Sequence, residues 1–121
     1  ERIVSIESTE ERFKTPENFS AKNFFKFSMG ISESIGNPEI IELEFSPVAA
    51  KLIETQPLHW SQKKQKELQG SVVFQFEIHP CQELYNFILS YGPEVKVLKP
   101  ASLKKVIQQR ITEASQQYSK K

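Results

Sequence analysis

The residues able to do chemistry in this sequence fall in three short stretches. His59 and Trp60 are followed at close spacing by Lys63, Lys64 and Lys66; His79 and Cys81 flank Pro80; Glu42 and Glu44 stand two residues apart. An indole can stack on a flat ring and lysines can neutralise phosphate. The first stretch therefore predicts a small surface for a small-molecule or nucleic-acid effector, carried by Trp60, Lys63, Lys64 and Lys66. The bland alternative is that Trp60 caps the edge of a core while the lysines solvate an exposed strand. His79 and Cys81 offer two metal ligands where a closed structural site takes four, and His59 is the only other histidine, so no metal site is expected. Cys81 has no second cysteine to resolve it and reads as a structural thiol. Glu42 and Glu44 read as a solvated strand face rather than an acid–base pair. With no glycine-rich phosphate loop and no serine elbow, the expectation is no catalytic residue, no cofactor and no enzyme.

These stretches hang on elements that the apolar periodicity marks out. Val72, Phe74, Phe76 and Ile78 alternate with Val73, Gln75 and Glu77, the period of a strand with one face on a core. Leu84, Phe87, Ile88 and Tyr91 then repeat at helical spacing, and Gly92-Pro93 stops the helix before a new strand at Val95, Val97 and Leu98. A second unit precedes this one. Ile41, Leu43 and Phe45 alternate with Glu42 and Glu44, Ser46-Pro47 supplies a cap and first-turn pair, and Val48, Ala49, Leu52 and Ile53 give a helical stripe. The segment Gln62–Leu68 has the composition of a helix and the length of a strand. Gln69-Gly70 places a tight hairpin between it and Ser71, so a lysine-rich edge strand is predicted.

Strand, helix, strand, strand, helix, strand is the order of an α+β, ferredoxin-like βαββαβ sandwich. An extra C-terminal helix follows Pro100, with Leu103, Val106, Ile107, Ile111, Ala114 and Tyr118 on one stripe that this sheet or another chain must cover. The outward positions of the central strands carry no aromatic platform for stacking bases, which argues against an RNA-recognition domain. Five of nine phenylalanines lie between Phe13 and Phe27, and Asn18 or Ser20 can cap a short helix there running to Ser28, with Gly30 ending it. Those rings pack on the domain's own core or dock a neighbouring domain. Phe24, Phe25 and Phe27, with Val106, Ile107 and Ile111 of the last helix, are the candidate interface.

Sixteen basic and fifteen acidic residues leave a net charge of +1, so any nucleic-acid surface must be local. At 121 residues one domain is expected, and no apolar run approaches the roughly 20 residues of a membrane span. A single cysteine fits a reducing compartment, and the reading is a soluble, cytoplasmic protein with no membrane partner. The opening stretch Glu1–Glu7 alternates like a strand without a nearby partner and begins without methionine. We expect a fragment of a longer chain.

The segments IELEFSPVAAKLI, HWSQ, SVVFQFEI and ELYNFILSYGPEVKVLKP together resemble WCX, the C-terminal extension of bacterial WYL-domain transcriptional regulators, over about Phe13 to Ala114. ERIVSIESTEERF is similar to the end of a WYL domain and the linker from it, which gives residues 1–18 to that domain's tail and 19–121 to a WCX-like domain. The resemblance implies a regulatory module, effector-sensing or dimerising, in a homodimeric regulator that reads DNA through an N-terminal helix-turn-helix. The WYL tripeptide is absent, so no residue of that domain's ligand site is carried over. Two rival readings stand beside it. One is a free-standing small-molecule sensor of the same fold, which would want a glycine where Phe45-Ser46-Pro47 stands; the other is a purely structural oligomerisation domain.

Overall fold

A computed structural model describes residues 2–29 and 37–120. Four strands, β1 (Glu39–Phe45), β2 (Lys63–Leu68), β3 (Ser71–Ile78) and β4 (Val95–Lys99), form one sheet in the order β2-β3-β1-β4. Every neighbouring pair is antiparallel, so β1 runs parallel to β2 and β3 to β4, as two interleaved crossover units require. The fold is α+β and ferredoxin-like, with α2 (Pro47–Thr55), α3 (Gln82–Ser90) and the C-terminal α4 (Ala101–Ser119) joining one core.

The core follows the alternation of the strands. Ile41, Leu43 and Phe45 of β1 meet Phe76, Phe74 and Val72 of β3 in register, and Leu84, Ile88, Leu103 and Ile107 close over them from the helices. Phe45 is fully buried and meets Phe74 and Tyr91 edge to face, with centroids 6.0 and 5.6 Å away. Each such ring contributes on the order of 1.5–3 kcal/mol through its buried apolar area. At the start of α2 the Ser46 hydroxyl accepts from the Ala49 N–H at 3.3 Å with Pro47 in the first turn. Gln69 and Gly70 both take positive φ in the two-residue turn between β2 and β3. Gly70 has a second reason to be glycine: a Cβ there would stand 3.0 Å from the Pro47 ring.

Several local expectations need correction. The buried stripe of α2 is Ala49, Ala50 and Ile53, while Val48 and Leu52 face solvent. Val73 points away from the helices yet is buried, because Glu44 and Lys66 flank it on the neighbouring strands with long side chains. The aromatic helix is a single turn, α1 (Ala21–Phe24), capped by Ser20; the chain then turns and does not continue helically to Ser28. The expected stop at Gly30 lies outside the described residues. Residues 2–9 form no strand, and Ile3, Val4 and Ile6 are exposed. The stripe of α4 splits: Leu103 and Ile107 enter the core, whereas Ile111, Ala114 and Tyr118 do not.

Candidate functional site

The loop between α2 and β2 is shaped by three side chains that hold it and one that it presents. Gln62 accepts from the Leu58 N–H at 3.0 Å and donates to the Ile53 carbonyl at 3.1 Å, which closes the loop onto the end of α2. The Ser61 hydroxyl is buried and accepts from the Glu77 N–H at 2.9 Å, fixing the loop to β3. His59 accepts through Nδ1 from the Ser61 N–H at 3.3 Å and lies 2.7 Å from the Ser61 Oγ. With those three contacts made, Trp60 is left 62% exposed.

The His59–Ser61 pair has the distance of a base and a nucleophile, and sequence reasoning missed it. In this structure both side chains are engaged in holding the loop. The Ser61 oxygen already takes a backbone N–H, its hydroxyl is out of solvent, and among the described residues no carboxylate orients the imidazole. Burial pushes the His59 pKa below its usual value, against a partial upward pull from the Lys26 and Ser28 backbone at its other side. The lowered pKa favours the neutral ring, in which Nδ1 accepts from the Ser61 N–H.

The segment after α1 comes to the same place. The Phe27 carbonyl accepts from the His79 N–H at 2.9 Å, and the Phe27 ring meets Trp60 and His79 at 5.9 and 6.2 Å. The Trp60 Nε1–H donates to the Lys26 carbonyl at 2.5 Å, and the Lys26 ammonium stands 5.5 Å from the indole centroid. Lys22 of α1 and Lys26 of the turn after it then form with Asn23, Phe25 and Trp60 an open cleft of about 620 Å3. Among the described residues no carboxylate lines it. The signal for it in the sequence is Lys22 and Lys26 at four-residue spacing inside the aromatic run.

The three lysines among the predicted effector residues are divided by the pleat of β2. Lys63 pairs with Gln75 and shares a second, smaller cleft of about 130 Å3 with Trp60, Ile40 and Glu77. Lys66 pairs with Val73 on the same open face of the sheet. Lys64 points the other way, to Glu54 at 3.0 Å and Glu67 at 3.2 Å, and these carboxylates raise its pKa. Of the predicted interface, Ile107 is committed to the core, Phe27 packs on Trp60, and Val106 is half-buried. Phe24 and Phe25 remain exposed, touching each other edge to face at 4.8 Å, and Ile111 is half-exposed on α4. Among the described residues no three His, Cys, Asp or Glu side chains gather as metal ligands, and no helix is long and apolar enough to cross a membrane.

Comparison with known proteins gives three findings. The WCX domain family matches residues 37–115, more than half of the chain. No curated protein matches it. Among solved structures, proteasome accessory factor B/C (PafBC) of Arthrobacter aurescens is similar at 19% identity and a TM-score of 0.49, over 88% of this chain and 15% of that one.

Proposed function

The chain belongs to the WCX domain family, and from that premise we propose that it is the regulatory C-terminal module of a DNA-binding transcriptional regulator, acting by ligand-dependent placement and not by catalysis. In this reading residues 1–18 end the preceding domain and link it to a module spanning 19–121, and the DNA-reading head lies elsewhere in a homodimeric protein. The observation that carries the reading is the cleft at Trp60. One wall, Lys22 to Lys26, belongs to the segment arriving from the N-terminal side, and the other, Trp60, belongs to the sheet domain. A ligand held by both walls fixes residues 22–26 against the sheet and so biases the direction in which residues 1–18 leave the module. That is a differential contact able to shift a two-state equilibrium.

The cleft suits an anion with a flat ring. A ring stacking on the indole displaces the Lys26 ammonium from the same face, and the freed ammonium with that of Lys22 meets the phosphate or carboxylate. Single-stranded nucleic acid has this chemistry. The test is anisotropy of a labelled single-stranded oligonucleotide titrated with the domain at two salt concentrations, while the emission of Trp60, the one tryptophan, is followed. Expected are salt-dependent binding, a change in Trp60 emission, and a salt slope smaller by about 1.4 in a Lys22→Ala, Lys26→Ala variant, since each neutralised phosphate of a single strand adds about 0.7. A Lys63→Ala, Lys66→Ala variant should lose less. Absence of binding at low salt would remove the nucleic-acid assignment.

A second reading, dimerisation, is supported by the exposed rings of Phe19, Phe24 and Phe25, which form a contiguous aromatic patch beside the cleft. Light scattering of a Phe24→Ser, Phe25→Ser variant of the full regulator tests it: the variant should dissociate at concentrations where the parent is dimeric.

A further inference from the structure

The edge of the sheet farthest from Trp60 is built differently from a protected edge. Among the described residues β4 pairs with β1 on one side only, so along the other side its backbone donors and acceptors have no strand. Over that free side α4 runs on past the core, and between strand and helix lies a groove of about 250 Å3. Val95, Val97, Ile107 and Ile111 make its walls, and Ile111 is 52% exposed. Lys96, Lys104, Gln108 and Thr112 complete the lining, with no carboxylate among them. Lys96 stands opposite Glu44 in the register, but neither Lys96 nor Lys104 forms an ion pair among the described residues. The nearby Lys99 reaches Glu42 at 3.9 Å.

We infer that the β4 edge and α4 together form a docking groove for an extended polypeptide segment of a partner protein, one whose side chains alternate between aliphatic and acidic. The backbone edge selects a polypeptide in β conformation, because a row of unpaired N–H and C=O groups is satisfied by another strand. The period of 2 along that strand sends one set of side chains down against Val97 and Ile111 and the other set outward. The aliphatic set fits the apolar walls, the outward set meets Lys96, which calls for carboxylates, and Lys104 adds positive charge on the α4 wall. The register irregularity at Leu98 confines the regular edge to Val95–Val97, so a short segment is held mainly by the groove and its charges.

The experiment uses the 15N-labelled domain and a blocked ten-residue peptide alternating valine with glutamate as the probe. Expected are amide shifts confined to residues 95–99 and 104–112, saturable below millimolar peptide. Ile111→Glu and the pair Lys96→Glu, Lys104→Glu should each weaken binding at least tenfold; both lie at exposed or half-exposed positions, and an unchanged spectrum elsewhere shows that the fold persists. A peptide N-methylated at alternate residues should also bind at least tenfold more weakly, since it keeps the charges and loses the ladder. The proposal is overturned if the probe causes no shifts at millimolar concentration, if it shifts residues 63–68 equally, or if N-methylation has no effect. It is likewise overturned if the same amides shift with protein concentration in the absence of peptide, which would give the groove to a second copy of this chain.

Discussion

The two edges of this sheet solve one problem in opposite ways. β2 and β4 are both short and both carry a register irregularity, at Gln65 and Leu98. β2 is exposed at all six positions and protects itself with charge: Lys63, Lys64, Lys66 and Glu67, on both faces of the pleat. β4 is apolar at Val95 and Val97 and relies on a helix beside it. A charged edge is complete in itself, whereas a covered edge is only as complete as its cover, and α4 leaves a groove. The difference assigns different work to the two ends of the molecule. The β2 side can afford a fixed loop presenting one large aromatic side chain, and the β4 side depends on packing and keeps room for another strand.

The sharpest way to break this contrast is to remove packing at both edges. Ile107→Ala deletes a buried side chain where α4 meets the sheet and should cost about 2–5 kcal/mol, by lost transfer energy and the cavity left behind. Leu68→Ala at the exposed end of β2 should stay within about 0.5 kcal/mol. Urea unfolding followed by Trp60 emission gives both values. Similar losses at the two sites would mean that β2 is held by packing after all.

The next effect belongs to the fixed loop. Ser61→Ala leaves the Glu77 N–H of β3 without its acceptor and removes the hydroxyl beside His59 Nδ1, at a cost of about 1–3 kcal/mol. It should also speed hydrogen exchange at Glu77 more than at Gln75, which is two residues along the same strand. Uniform acceleration along β3 would show that the hydroxyl does not hold the loop locally.

What could be read from the sequence follows from which forces are local. The strands, the Ser46-Pro47 cap, the Gln69-Gly70 turn and the strand order were legible, because alternation and turn chemistry act within a few residues. The identity of the lysine-rich segment was legible only through the hairpin next to it. The Trp60 cleft was half legible. The exposed indole could be expected, but its partners Lys22 and Lys26 arrive from 34 to 38 positions earlier through the Phe27–His79 backbone contact, and no periodicity encodes that. Composition alone places Lys64 with Lys63 and Lys66 on one strand, while the pleat places it with Glu54 and Glu67. Ile107 and Ile111 lie on one stripe and part company only because the sheet ends beneath α4.

Acid should weaken the β2 side first. The folded-state pKa of His59 lies below its unfolded value near 6.5, so above that pH both states are neutral and the buried ring carries no penalty. As pH falls through 6.5 the unfolded chain takes a proton that the folded chain refuses. Stability is lost steadily until the folded pKa is reached. His59→Asn keeps an acceptor for the Ser61 N–H and does not titrate. The difference between parent and variant urea midpoints, measured from pH 7.5 to 5.5, should therefore be flat above 6.5 and move against the parent below it. A flat difference throughout would mean that His59 is solvated in the folded state.

The smallest effect is expected at Lys64, and it bears directly on how a charged edge works. Its two ion pairs, to Glu54 and Glu67, are short, but all three side chains are roughly half exposed, so water and salt screen the attraction and the long side chains lose entropy in making it. Lys64→Ala should leave the urea midpoint almost unmoved, with whatever shift exists shrinking as salt rises. Its stronger consequence concerns association. Replacing Lys64 and Lys66 together by valine keeps the strand and its hairpin but removes most of its positive charge, leaving an apolar edge beside a ready ladder. Light scattering should then show concentration-dependent association through β2, where the parent shows none at that edge. A variant that stays unassociated would place the protection in the Gln65 bulge, which twists the strand out of reach, and the lysines would be free for ligand binding alone.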